Sequence, residues 1–177
     1  MSGLRYVGAR REFFVEAAPG DARPAFWANR AAGTAGNPDS AFDFRAYAGT
    51  RNDAYPLYLP DEMRLIQAEA HARLGNLPAA AQLINDVRTQ GRNATTGACT
   101  ASTTEPVGCL PPLPASALDT EAKVFAAILY ERRYELFNQG LRWEDLRRLQ
   151  AYTTERPSMP FLPFPQSECD RNPNAGC

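Results

Sequence analysis

The sequence predicts a mainly α-helical fold with tetratricopeptide-like helical hairpins, long irregular loops and a proline-rich C-terminal tail. Three observations predict it. Apolar residues recur at helical spacing in four windows, 61–74, 78–90, 120–139 and 142–150. Gly75, Gly91 and Gly140 stop these windows, and most of the fifteen prolines fall between or beyond them. At 177 residues the chain suits one domain with a core of its own.

Residues 1–60 read as an irregular, aromatic-rich region. Leu4–Glu16 alternates loosely and fits a short strand or one helical turn. Asp21–Tyr58 is rich in loop residues, with Gly33-Thr-Ala-Gly-Asn-Pro38 as a turn. Residues 61–91 form a helical hairpin. Its first helix, Asp61–Leu74, opens with two acidic residues at the positive end of the helix dipole and turns Met63, Ile66, Ala70 and Leu74 inward. Gly75 ends it, Asn76 caps the next helix, and Pro78 sits in that helix's first turn. The second helix, Pro78–Gln90, buries Ala80, Leu83, Ile84 and Val87 and stops at Gly91. Ala68, Ala80, Ile84 and Val87 match tetratricopeptide spacing in part, with His71 where that repeat carries a large aromatic.

Residues 92–118 form a long loop, and a connection of this length needs a constraint or a function. Residues 119–150 form a helical pair. The helix Thr120–Gln139, capped by Asp119 or Thr120, buries Phe125, Ile128, Leu129, Leu136 and Phe137. After Gly140 comes the short helix Arg142–Gln150. Residues 151–177 are an extended tail, punctuated by Pro157, Pro160, Pro163, Pro165 and Pro173.

Composition excludes some classes of function. A net charge of −1 gives no electrostatic reason to expect nucleic acid or an anionic membrane surface. No window holds ~18 consecutive apolar residues, so no helix is expected to span a membrane. The basic residues are 18 Arg and the single Lys123, which favours Arg–carboxylate pairing inside the fold. Cys99 and Cys109 form one local pair and Cys169 and Cys177 a second, with no CxxC. Two local disulfides in an oxidising compartment fit this pattern, against four unpaired surface thiols as the alternative. No metal site and no cofactor are expected, since His71 is the only histidine and no Gly-rich phosphate loop or Ser/His/Asp order appears.

Four pieces stand out in order. They are Tyr58-Leu-Pro-Asp-Glu-Met-Arg-Leu-Ile-Gln-Ala-Glu-Ala70, the Leu74-Gly-Asn76 hinge, the stretch Glu131-Arg-Arg-Tyr-Glu135 to Gly140-Leu-Arg-Trp-Glu-Asp-Leu146, and the ending Pro163-Phe-Pro-Gln-Ser-Glu168 to Asn172-Pro-Asn174. In this combination the chain resembles the SusD/RagB family over roughly residues 40–177. The resemblance implies the C-terminal part of a longer nutrient-binding outer-membrane lipoprotein, at the cell surface or the periplasmic face of the outer membrane. Its export signal and lipid anchor are expected outside this chain. The implied partner is a TonB-dependent outer-membrane transporter, the implied ligand an oligosaccharide or peptide, and the implied mechanism binding and lid closure with no bond chemistry. The alternative is an accessory or structural subunit of a periplasmic or surface membrane complex, using the helical hairpins as a protein-interaction module.

The resemblance makes Glu131, Arg132, Glu135, Arg142, Trp143 and Asp145 structural, and the residue types agree. Glu131 and Glu135 are one turn apart, and with the arginines and Asp145 they suit an ion-pair network tying the two helices, pinned by Trp143. Read as enzymatic, Glu131 and Glu135 are the paired carboxylates of a glycoside hydrolase. Flanking arginines are expected to keep both ionised, so neither suits a general acid of raised pKa. For a sugar ligand the candidates are Trp27, Tyr47, Tyr55 and Tyr58 as stacking rings, with Asn29, Asn52 and Asp53 for hydroxyls, set against ordinary packing of these rings onto the helices.

Overall fold

The computed structural model describes residues 11–30, 42–44, 57–149 and 170–172. The chain is mainly helical and forms two compact units, Met1–Phe137 and Asn138–Cys177. The boundary falls inside the region the sequence reads as one helical pair.

Six α-helices are assigned among the described residues: α1 (Arg11–Val15), α2 (Arg23–Trp27), α3 (Pro60–Arg73), α4 (Leu77–Arg88), α5 (Glu121–Glu135) and, in the second unit, α6 (Arg142–Arg148). A short antiparallel pair joins β1 (Ala28–Arg30) to β2 (Phe42–Phe44), with Ala28 opposite Phe44. Of the segment expected as a strand or one helical turn, the described part is helical, as α1.

Local chemistry sets the helix ends. The Asn76 side chain accepts from the Ala79 N–H at 3.4 Å, and Thr120, the cap of α5, accepts from the Lys123 N–H at 3.3 Å. Gly75, at φ 75°, makes the left-handed turn between α3 and α4. The helix α5 stops at Glu135, four residues short of its expected end, and Asn138 then adopts a left-handed φ of 61°.

The helices α3, α4 and α5 pack on one another around Ala68, Ala72, Ala80, Ile84, Leu118, Val124 and Ile128. The alanines of α3 and α4 let the two helices pack closely. One expectation is overturned here. The buried face of α3 carries Asp61, Leu65, Ala68 and Ala72, whereas Met63, Ile66, Ala70 and Leu74 face solvent. Apolar side chains lie on two sides of this helix, so spacing alone admits both faces, and tight packing against α4 selects the one with small residues.

The long loop is built into the core. Residues 106–110 are buried, and Leu110 N–H and Cys109 N–H donate to the carbonyls of Arg88 and Gln90 at 3.1 and 2.7 Å. Asn85 clamps the next stretch. Its Nδ2 donates to the Leu113 carbonyl at 3.3 Å and its Oδ1 accepts from the Leu113 N–H at 2.8 Å. A Cβ on Gly108 would collide with the Arg88 carbonyl oxygen, so this return over the end of α4 requires glycine. Cys99 and Cys109 are disulfide-bonded, with Cα atoms 5.3 Å apart. Cys169 and Cys177 lie outside the described residues.

Candidate functional site

The charged motif of α5 sits at the centre of a buried ionic cluster. Val124, Ile128, Glu131 and Glu135 follow one another down one side of the helix, and all four are buried. That side meets apolar neighbours at Val124 and Ile128 and charged ones at the two glutamates. Arg23 of α2, itself fully buried, reaches in and donates from Nη1 to Glu131 Oε2 at 2.6 Å. Arg88, at the end of α4, donates to the other carboxylate oxygen at 2.8 Å and from Nε to the Pro111 carbonyl at 2.9 Å. Asp21 grips Arg23 from the other side, accepting from Nε at 2.9 Å and Nη2 at 2.7 Å. Tyr130 closes the ring. Its hydroxyl donates to Asp21 at 2.9 Å and accepts from the Ala18 N–H at 2.8 Å.

The electrostatics follow from this packing. Two cations, Arg23 and Arg88, already balance two anions, Asp21 and Glu131. Burial alone would push the Arg23 guanidinium down. Its hydrogen bonds to Asp21 and the charges of Glu131, Asp21 and Glu135 outweigh that, and its pKa lies above the ordinary value. Burial holds the Tyr130 phenol above its usual range, against the donation from Ala18 and with the charge of Asp21 adding to it.

Glu135 is the unbalanced member. It is 1% exposed, its Oε2 lies 3.7 Å from Arg23 Nη1, and that oxygen accepts no hydrogen bond. Burial pushes its carboxyl well above the usual carboxylate range, opposed by Arg23 and reinforced by Asp61, Glu131 and Asp21. The expectation that arginines keep both glutamates ionised is therefore corrected for Glu135. The nearest cation is already taken by Glu131 and Asp21.

Glu131 has two arginine partners from outside the motif. They are Arg23 and Arg88, 108 and 43 residues away. Arg88 was legible in principle, because it follows Ile84 by four residues on the buried face of α4. Arg23 had only a faint signal, an arginine beside Asp21 in a short apolar segment ending in Phe26 and Trp27. Arg132 is buried on α5. In the second unit Arg142 and Trp143 are half-buried, while Asp145 is buried and accepts from Arg148 Nη2 at 2.8 Å.

Of the proposed stacking rings, Trp27 is fully buried and donates from Nε1 to the Tyr134 carbonyl at 2.7 Å. Its ring is a core side chain with no face open to a ligand, which removes it from that set. Tyr58 is 61% exposed. Tyr47, Asn52, Asp53 and Tyr55 lie outside the described residues. An open hollow of about 650 Å³ lies over the disulfide loop, lined among others by Gln90, Thr100, Ala101, Ser102, Glu105 and Val107.

The arrangement is a joint. It fixes the segment 18–27 and the loop 106–111 onto α4 and α5. Both glutamates are closed off from solvent, so a substrate reaching them as an acid and a nucleophile would first have to open the core. No curated protein and no solved structure matches the chain. The model of the SusD family matches residues 48–159, well over half of the sequence and including the charged stretch of α5 and α6, and the chain belongs to the SusD family.

Proposed function

We propose that the chain is part of a non-catalytic nutrient-binding protein at the outer membrane, which captures an oligosaccharide and passes it to a TonB-dependent transporter. The observation that carries this reading is the family match over residues 48–159. The burial of Glu131 and Glu135 supports it, because the residues most suggestive of hydrolysis are committed to holding the fold. Tyr58, exposed beside the start of α3, is the described residue best placed to stack on a sugar ring.

Two measurements test the reading. Extraction from native membranes in mild detergent, followed by mass spectrometry of co-purifying chains, should return a TonB-dependent barrel at matching stoichiometry. A stable complex with a different membrane assembly would contradict the transporter role. Calorimetric titration with oligosaccharides should show binding without turnover, weakened by Tyr58→Ala. Hydrolysed product in that titration would sink the non-catalytic reading.

A further inference from the structure

The first part of the disulfide loop is held more firmly than the core requires. None of residues 92–105 is buried. They are pinned all the same. Cys99 is bonded to the buried Cys109, the Thr100 N–H donates to the Gly91 carbonyl at 2.7 Å, and the Asn93 N–H donates to the Ala98 carbonyl at 2.8 Å. Ser102 Oγ accepts from the N–H groups of Thr104 and Glu105 at 3.2 and 3.3 Å. Ordering a chain costs free energy, and this stretch returns none of it by burial. An ordered surface loop of this kind is a place to look for function.

What the loop builds is the hollow of about 650 Å³, a size suited to a small ligand. Among the described residues, the side chains of Gln90, Thr100, Thr103 and Glu105, all lining it, make no hydrogen bond to protein. The lining thus offers an amide, hydroxyls and one carboxylate, with Ala101 and Val107 as apolar pieces and no cation. Such polar groups match the hydroxyls of a ligand, and the apolar pieces match the C–H face of a ring. We propose that this hollow is a binding site for a neutral sugar ring, held at its hydroxyls by Gln90, Thr103 and Glu105. Naming a sugar rests on the nutrient-binding reading above. The place and the preference for an uncharged ring come from the hollow. The loop is already fixed, so little ordering is lost on binding. Glu105 also makes the site selective, because a uronic acid would bring a second carboxylate to a lining without a cation.

Titration of the isotopically labelled full chain with methyl glucoside, methyl galactoside and glucuronate, followed by amide NMR, tests this. Amides of residues 90–91 and 100–107 should shift with at least one neutral glycoside and saturate on the order of millimolar sugar. Glucuronate should bind about threefold more weakly or worse, and Glu105→Gln should close that gap. Gln90→Ala and Thr103→Ala together should weaken the neutral glycoside about tenfold. Both side chains bond to nothing in the protein, so the double variant should keep the thermal unfolding of the parent. A double variant that binds like the parent, or glucuronate as the tightest probe, would overturn the proposal. Shifts around Tyr58 with none at 90–107 would overturn this site and leave the nutrient-binding reading standing. No shift with any probe, in a chain that still binds oligosaccharide by calorimetry, would do the same, whereas a chain that binds no sugar by either method would overturn both.

Discussion

The two halves of α5 face the same core and hold it by different means. At Val124 and Ile128 the helix meets α3 and α4 through carbon alone, with the alanines of the hairpin packed against it. One turn further on, at Glu131 and Glu135, the same side meets the guanidinium groups of Arg23 and Arg88, which also lie over the Tyr130 ring of α5. The apolar half tolerates small changes in shape and ignores pH. The ionic half fixes the partners that come from far along the sequence, because a buried carboxylate without its arginine is far costlier than a cavity the size of a methyl group. The ionic half thus adds to the buried Phe13 and Trp27 in holding the N-terminal segment.

The largest expected effect is in the ionic half. Arg23→Ala leaves Asp21 and Glu131 buried without their shared cation and should cost about 3–5 kcal/mol in urea unfolding. A loss near that of an exposed ion pair, below about 1 kcal/mol, would mean the cluster is hydrated and does not act as a joint. Next comes the loop that packs over Arg88 at the end of α4. Gly108→Ala forces a methyl group against the Arg88 backbone and should cost about 1–3 kcal/mol, with faster amide exchange at Cys109 and Leu110. Normal exchange there would show that the loop closes without the tight return. Smallest is the apolar half. Ile128→Val removes one methylene and should cost about 0.5–1.5 kcal/mol, by the same amount at every pH. A cost that varied with pH would dissolve the distinction between the halves.

Much of the helical frame was legible in the sequence. The Gly75-Asn76 hinge, the Thr120 cap and the inward face of α4 act through neighbours a few residues away, and such signals survive in one dimension. The face of α3 was not legible, because Met63/Ile66 and Leu65/Ala68 satisfy the same period and the choice depends on how closely α4 approaches. The cluster around Glu131 was half legible. The charged motif announced an ionic network, but Arg23 is 108 residues distant and no local pattern ties it to α5. Glu135 was misjudged for a related reason. The sequence offers arginines in plenty, and only the three-dimensional accounting shows that Arg23, 3.7 Å from Glu135, is already shared by Asp21 and Glu131.

That accounting is the central claim, and the stability of wild type and Glu135→Gln as a function of pH tests it most directly. A carboxyl with a raised folded-state pKa binds more protons folded than unfolded between the unfolded value, about 4.3, and the folded one. Its contribution to stability is therefore lost as pH rises through that interval. The account predicts that Glu135→Gln, which keeps the shape and removes the titration, is more stable than wild type at neutral pH. The gap should open as pH rises from about 4.3 and level off above the folded value. A Glu135→Gln variant that is less stable than wild type at neutral pH, with the gap closing in acid, would show that Glu135 is held as an ionised partner of Arg23 and would contradict the account.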